Sequence, residues 1–270
     1  MKIDSKFCIF LLLSNLLFVS CTQYNKVYNR GTLEERYAYA NTMYKQEKYK
    51  KAVALYELID PYFVGKPQSE VILYRLADAS FKEEDYVSSV HYYETFIKRF
   101  PNSTEIGNAQ YKIAESYFEL SPKHSVTQEE TQRALEAFQS FIDNNPSSDK
   151  IVLANERIEE LNFKLEKKAF EIAKQYYKIG YYKAAIKAFD NVTLDFLGTS
   201  LKEEAMFYKF KSAYQLGVNS ISRKKEERVI TAIKIYDRYS KLYPNSEFKN
   251  QADQLYQELT ELINKKENNS

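Results

Sequence analysis

The sequence predicts an all-α fold, a superhelical solenoid of about five short helix pairs closed by a C-terminal capping helix. Three observations predict it. Glycine and proline number only 6 each in 270 residues, too few for the tight turns of a β-sandwich or a doubly wound α/β fold. Five segments share one pattern, a small residue, an aromatic four positions on and a third large residue three after that: Ala52/Tyr56/Ile59, Ser89/Tyr93/Phe96, Ala134/Phe138/Phe141, Ala185/Phe189/Val192 and Ala232/Tyr236/Tyr239. The upstream helix keeps strict register over its first three copies: Tyr37, Tyr74 and Tyr111 are 37 apart, as are Tyr44, Phe81 and Phe118.

The first element, residues 1–20, reads as a signal peptide. Lys2 and Lys6 precede an almost purely apolar run, Phe7 to Val19, too short to span about 30 Å of hydrocarbon. Ser20-Cys21 ends the run and the chain turns polar at once. Leu17-Phe18-Val19-Ser20-Cys21 resembles a lipobox, with Phe18 where Leu is usual; an ordinary secretory signal or short anchor is the alternative. Of the two cysteines, Cys8 lies in the apolar run and Cys21 is the expected lipidation site. The mature chain would then carry no free thiol, as suits an oxidising compartment, and would be tethered by acyl chains without crossing the membrane. Thr22 in place of Asp predicts the outer membrane and its periplasmic face. Without Lys2, Asp4 and Lys6, 37 basic and 36 acidic residues remain, a net charge of +1.

Residues 21–32 read as a tether, 33–263 as the repeat domain and 264–270 as a disordered tail. Within each repeat the upstream helix has its own small residue, Ala40, Ala77, Ala114 and Ala173, with Lys211 in the corresponding place of the fifth. Turns at Lys45–Tyr49, Lys82–Tyr86 and Lys178–Tyr182 join the pairs. Proline follows at 101, 146 and 244, where its missing N–H ends the second helix. This is the tetratricopeptide arrangement. Repeat three carries an insertion after Ser121, and repeat five another around Gly217–Arg228. Between Pro146 and Tyr177, apolar Ile151, Ala154, Ile158, Leu161, Leu165, Ala169 and Ile172 recur every three or four residues, a long amphipathic helix. A last helix, Glu247 to Ile263, would cap the stack.

Chemistry-bearing motifs are scarce. Gly65-Lys66 is followed by Pro67, not by a hydroxyl residue, and His91 and His124 stand 33 apart. Carboxylate pairs such as Glu34/Glu35 read as solvated helical faces. An enzyme, a metal and a cofactor are therefore not expected, and the interleaved charges argue against nucleic acid. The run from Arg223 to Arg228 reads most simply as an exposed loop. Its sharper reading is a partner dock of Arg223, Lys224, Lys225 and Arg228, with Tyr236 or Tyr239 packed behind.

In tetratricopeptide folds the first helix of each pair lines the inner face, through the fifth and twelfth positions. Those positions here read Tyr37/Tyr44, Tyr74/Phe81, Tyr111/Phe118, Phe170/Tyr177 and Tyr208/Gln215. Either the rings pack between helices, or they form a groove for an extended peptide, with Asn41, Asp78 and Glu115 as polar neighbours.

Phe96-Ile97-Lys98-Arg99-Phe100-Pro101-Asn102-Ser103, the Gln128…Thr131…Ala134…Phe138 segment after Ser121-Pro122, and Tyr176-Tyr177…Gly180…Tyr182…Ala184-Ala185 resemble motifs of the BamD family. That family is the lipoprotein subunit of the outer-membrane β-barrel assembly machinery. Thr127 and Glu129, and Leu197 at a usual proline site, depart from its pattern. The resemblance implies a scaffold that docks the core barrel assembly protein (through its periplasmic domains) on the C-terminal repeats, and that holds aromatic-rich segments of unfolded barrels in the groove. A generic periplasmic scaffold for envelope division or export is the alternative. A nutrient-binding lipoprotein is disfavoured by the short chain and the absence of Trp.

Overall fold

The structure, a computed structural model, describes residues 23–267, with side chains to 265. Among the described residues every regular element is an α-helix. Among the described residues the chain forms two compact units, residues 23–122 with 129–158 and residues 123–128 with 159–267.

In the first unit, α1 covers residues 23–30. It is followed by α2 (Leu33–Lys45), α3 (Tyr49–Phe63), α4 (Ser69–Lys82), α5 (Tyr86–Arg99), α6 (Ile106–Leu120) and α7 (Glu129–Asn144). From α2 to α7 each helix packs on the next. The small residues Ala40, Ala52, Ala77 and Ala114 are fully buried where helices approach, and Tyr56, Tyr93, Phe96 and Phe138 fill the space between them.

The expected tether is corrected here. Residues 23–30 are helical, and Tyr24 and Tyr28 pack on the first core cluster. Gly31 makes the sharp corner possible, since a Cβ there would meet the Val27 carbonyl oxygen at 2.5 Å. Thr32 then caps α2: its Oγ1 accepts from Glu35 N at 3.2 Å, while Thr32 N donates to Glu35 Oε2 at 2.8 Å.

Helix α8 (Ile151–Lys178) begins in the first unit and ends in the second, where α9 (Tyr182–Asp195), α10 (Lys202–Val218), α11 (Ser222–Leu242) and α12 (Lys249–Glu267) follow. Phe170 and Ala173 of α8 share a core with Ala185, Phe189 and Val192 of α9. The last helices close over a second core in which Phe207 stacks on Phe248 at 4.7 Å and Tyr236 on Tyr256 at 4.2 Å. Two expectations change. The repeat-five insertion is not a loop: only 219–221 separate α10 from α11, and Arg223–Arg228 form the first turns of α11. The expected tail is helical as far as Glu267, because Leu259 and Ile263 carry the apolar stripe of α12 along the second core.

Three of the turns within helix pairs share one closure. At Glu47, Glu84 and Gly180 the chain adopts positive φ (57°, 62° and 80°). The next N–H then reaches back across the helix end: Lys48 to Met43, Asp85 to Ser80 and Tyr181 to Tyr176. In repeat three the connection is the irregular segment 121–128. There Gln128 Nε2 donates to the carbonyls of Lys123 (3.0 Å) and Val126 (2.9 Å).

Candidate functional site

The two ring positions of each inner helix have different surroundings. The first ring is wedged against its partner helix. Tyr37 lies 5.7 Å from Phe63, Tyr74 5.3 Å from Phe96, Tyr111 5.3 Å from Phe141 and Phe170 5.7 Å from Phe189. Tyr111 and Phe170 are only 5% and 2% exposed. These two rings are core, not groove, because they sit where the helices of a pair touch. Tyr37 and Tyr74 are part-buried.

The second ring stands beside an aromatic of the partner helix. The separations are 5.7 Å for Tyr44 and Tyr49, 5.4 Å for Phe81 and Tyr86, 6.4 Å for Phe118 and Phe138, and 5.9 Å for Tyr177 and Tyr182. A cation from the following inner helix covers each one. Arg75 lies 5.5 Å from the centre of Tyr44, Lys112 3.8 Å from Phe81, Arg157 4.3 Å from Phe118 and Lys211 5.6 Å from Tyr177. Sequence reading missed this row. Its signal was present, because Arg75 and Lys112 directly follow Tyr74 and Tyr111 in the 37-residue register.

In the first unit the cations also meet the polar residue after each small one. Arg75 Nη1 donates to Asn41 Oδ1 at 2.6 Å, and Arg157 Nε to Glu115 Oε1 at 3.3 Å. Tyrosine hydroxyls complete the set. Tyr56 donates to Asn41 at 2.7 Å, Tyr111 to Glu115 at 2.9 Å, and Tyr44 and Tyr93 both to Asp78. Burial pushes Tyr56 up to about 12. Burial, then the Asp78 hydrogen bond, raises Tyr44; burial dominates at Tyr93. Lys112 is lowered by burial despite Asp78 and Glu115 nearby. A bare aromatic ladder is thus replaced by rings faced with cations, beside carboxylates already committed to hydroxyls.

In the second unit Tyr208 is the centre, 5.6 Å from Tyr177 and 5.9 Å from Phe189. Lys174 lies 4.8 Å over its ring and donates to Glu204 at 3.1 Å. Burial alone would lower Lys174, but the Glu204 hydrogen bond together with the charges of Glu204, Tyr208 and Glu171 outweighs it, and the net direction is up.

The candidate dock opens α11. Arg223 and Lys224 are exposed, whereas Lys225 and Arg228 are part-buried. Arg228 Nη1 donates to Ser220 Oγ at 2.7 Å, which ties the helix start to the turn before it. Two clefts flank this helix start. One, about 310 Å³, is lined by Lys225, Val229, Leu262 and Ile263; the other, about 290 Å³, by Lys183, Ile186, Leu216, Lys224 and Arg228. Glu226 and Glu227 alternate with the cations, so the surface is mixed in sign. Tyr236 and Tyr239 lie behind it as buried packing. Cys21 and the signal 1–20 lie outside the described residues.

Stacked helix pairs of this kind define an all-α solenoid of tetratricopeptide-type repeats. The model of the YfiO family, described as outer membrane lipoprotein, matches residues 30–229, and the chain belongs to that family. Among solved structures it is similar to the TPR2AB domain of yeast Sti1 in its pHSP90 complex. Identity is 13%, with 84% of this chain and 98% of the other covered at a TM-score of 0.38. Comparison with the curated proteins gives no match.

Proposed function

We propose that the protein is a lipid-anchored, non-enzymatic scaffold on the periplasmic face of the outer membrane, acting in β-barrel assembly as BamD-like proteins do. Cys21 carries the lipid. The C-terminal unit docks the core barrel assembly protein through that protein's periplasmic domains, and the first unit receives segments of unfolded barrel proteins. One observation carries the reading: the outer-membrane lipoprotein family matches 200 residues, from 30 to 229, spanning both units. The mixed-charge start of α11 with its two clefts supports the docking half. Cations there would steer a partner more than hold it, since rim charges act chiefly on association rate.

An affinity pull-down of the lipidated protein from detergent-solubilised outer membranes tests this. Co-purification of a membrane barrel with periplasmic repeat domains is expected. Its loss on reversing Arg223, Lys224 and Lys225 would assign the dock. Capture of division or export proteins instead would make the chain a general envelope scaffold.

A further inference from the structure

The turn between α2 and α3 differs in chemistry from its counterpart one repeat on. Cys21 is two residues before Gln23, the first residue of the described helix, so at most about 7 Å of chain separates them. Helix α1 is fixed to the first repeat at both ends. Near its start, Tyr24 stacks on Tyr28 at 5.8 Å, meets Tyr39 of α2 at 6.4 Å, and has Lys51 of α3 5.1 Å over its ring. At its end the Val27 carbonyl accepts from Gly31 N at 2.9 Å and from Arg36 Nε at 3.4 Å. With its end beside the first turn of α2 and its start beside Tyr39 and Lys51, α1 runs back along α2 towards the α2–α3 turn. A lipid on Cys21 would therefore hold that end of the unit, and not a free tether, at the bilayer.

The charge there suits an anionic lipid surface. Lys26, Lys45, Lys48, Lys50 and Lys51 stand with Glu47, a net of +4 from 5 − 1 within these two segments, and Glu83 of the next repeat reaches the edge only at Lys50 N, 2.8 Å away. All are exposed except the part-buried Lys51. The corresponding α4–α5 turn has Lys82 against Glu83, Glu84 and Asp85, a net of −2 from 1 − 3. A lipid chain combined with a basic cluster is a two-part membrane signal. Resting on the lipidation of Cys21 proposed above, we infer that the Lys45–Lys51 edge of the first repeat lies flat on the phospholipid headgroups, which gives the scaffold a fixed orientation at the membrane.

The test uses the full lipidated chain in phosphatidylethanolamine vesicles, with and without phosphatidylglycerol. A fluorophore is placed on Gln46→Cys or, at the far end of its repeat, on Asn102→Cys, and is quenched by nitroxide headgroup lipid. Quenching at 46 should exceed that at 102 at least threefold. A fifteen-residue Gly-Ser spacer after Thr22 should bring the ratio towards one. Lys45→Glu with Lys48→Glu and Lys50→Glu should lower it in phosphatidylglycerol vesicles while the helical circular dichroism signal is kept. Equal quenching at 46 and 102 in a vesicle-bound, lipidated chain, or a ratio indifferent to the spacer, overturns the inference and leaves the lipoprotein reading intact. Absence of a diacylglyceryl mass on Cys21 together with no vesicle binding overturns both.

Discussion

The two units solve one packing problem in opposite ways. In the first, each inner helix offers an acceptor (Asn41, Asp78 or Glu115), and two of the three following inner helices answer with a hydrogen-bonded cation, Arg75 on Asn41 and Arg157 on Glu115. In the second the order is reversed: Lys174 is on the preceding inner helix and Glu204 on the next. Its last helices add stacked rings, Phe207 on Phe248 and Tyr236 on Tyr256, beside hydroxyl–carboxylate pairs, Tyr214 on Glu258 and Tyr236 on Asp253. A strict 37-residue register thus accompanies a polar ladder. Where connections lengthen, the register is lost and stacked rings join the polar pairs. The first unit therefore leans more on its polar partners, the second more on stacked rings.

The largest effect expected concerns the core rings. Tyr111→Ala should cost about 3–5 kcal/mol in guanidinium unfolding, because it opens a cavity between Phe138 and Phe141. Part-buried Tyr37→Ala should cost about 1–2 kcal/mol, in proportion to the smaller area it covers. Binding of a barrel-derived peptide then decides what remains of the groove. Tyr37→Ala weakening the peptide with little loss of stability would keep that ring as a contact. Equal destabilisation by both variants would make Tyr37 core as well.

Next comes the ladder. Asp78→Ala leaves the hydroxyls of Tyr44 and Tyr93 without their acceptor in a buried place, and a loss of about 1–3 kcal/mol is expected. Its counterpart Glu204→Ala removes a pair whose side chains are 23% and 31% exposed, and less than about 1 kcal/mol should be lost. Equal losses in thermal melts would erase the contrast between the units.

Alkali should distinguish them too. Tyr44, Tyr56, Tyr74, Tyr93 and Tyr111 of the first unit are raised chiefly by burial. In the second, Tyr214 is pushed to about 12, by burial and then its hydrogen bond to Glu258. A raised phenol favours the folded state while protonated. Its contribution is therefore complete below pH 10, the unfolded value, and is lost as pH climbs through the folded one. Helical signal should fall above pH 10 together with the rise of tyrosinate absorbance. Tyr93→Phe should move that midpoint upward by some tenths of a pH unit, and Tyr243→Phe by less.

Much of this was legible in the chain. Repeat register, small residues and helix-stopping prolines act locally and recur, so helix pairs could be read from spacing alone. The long α8 declared itself through its three-and-four apolar period. What escaped depends on contacts between repeats. Arg75 over Tyr44 joins residues 31 apart and shows only in the register it shares with Lys112, whereas Arg157 over Phe118 joins residues 39 apart across an insertion, where that register is lost. The run from Arg223 to Arg228 looked like a loop because it lacks apolar residues. It is helical because α11 continues it into the buried Val229 and Ala232, and because Arg228 braces it on Ser220. Residues 23–30 looked like a tether because they are polar; two tyrosines were enough to dock them.

The smallest effect bears on the turns, where the units differ by one residue type. Gly180 closes its turn at φ 80° without strain, whereas Glu47 and Glu84 hold φ 57° and 62° with a Cβ. The left-handed region costs a non-glycine residue about 1–2 kcal/mol. Glycine relieves that cost but gives the unfolded chain more freedom, which returns part of the gain. Glu47→Gly should therefore stabilise the first unit by about 0.5–1 kcal/mol, and Gly180→Ala should destabilise the second by about 1 kcal/mol. Glu84→Gly should behave like Glu47→Gly. Glu83, next to it, is different, because its Oε1 accepts from Lys50 N at 2.8 Å and so caps the start of α3 from the following repeat. Glu83→Ala should lose about 0.5–2 kcal/mol, the usual worth of a helix cap. Chemical denaturation of the four variants reads these signs directly. If Glu47→Gly and Glu84→Gly destabilise, those glutamates hold their turns through their side chains, and the acidic α4–α5 edge is then part of the ladder that joins one repeat to the next.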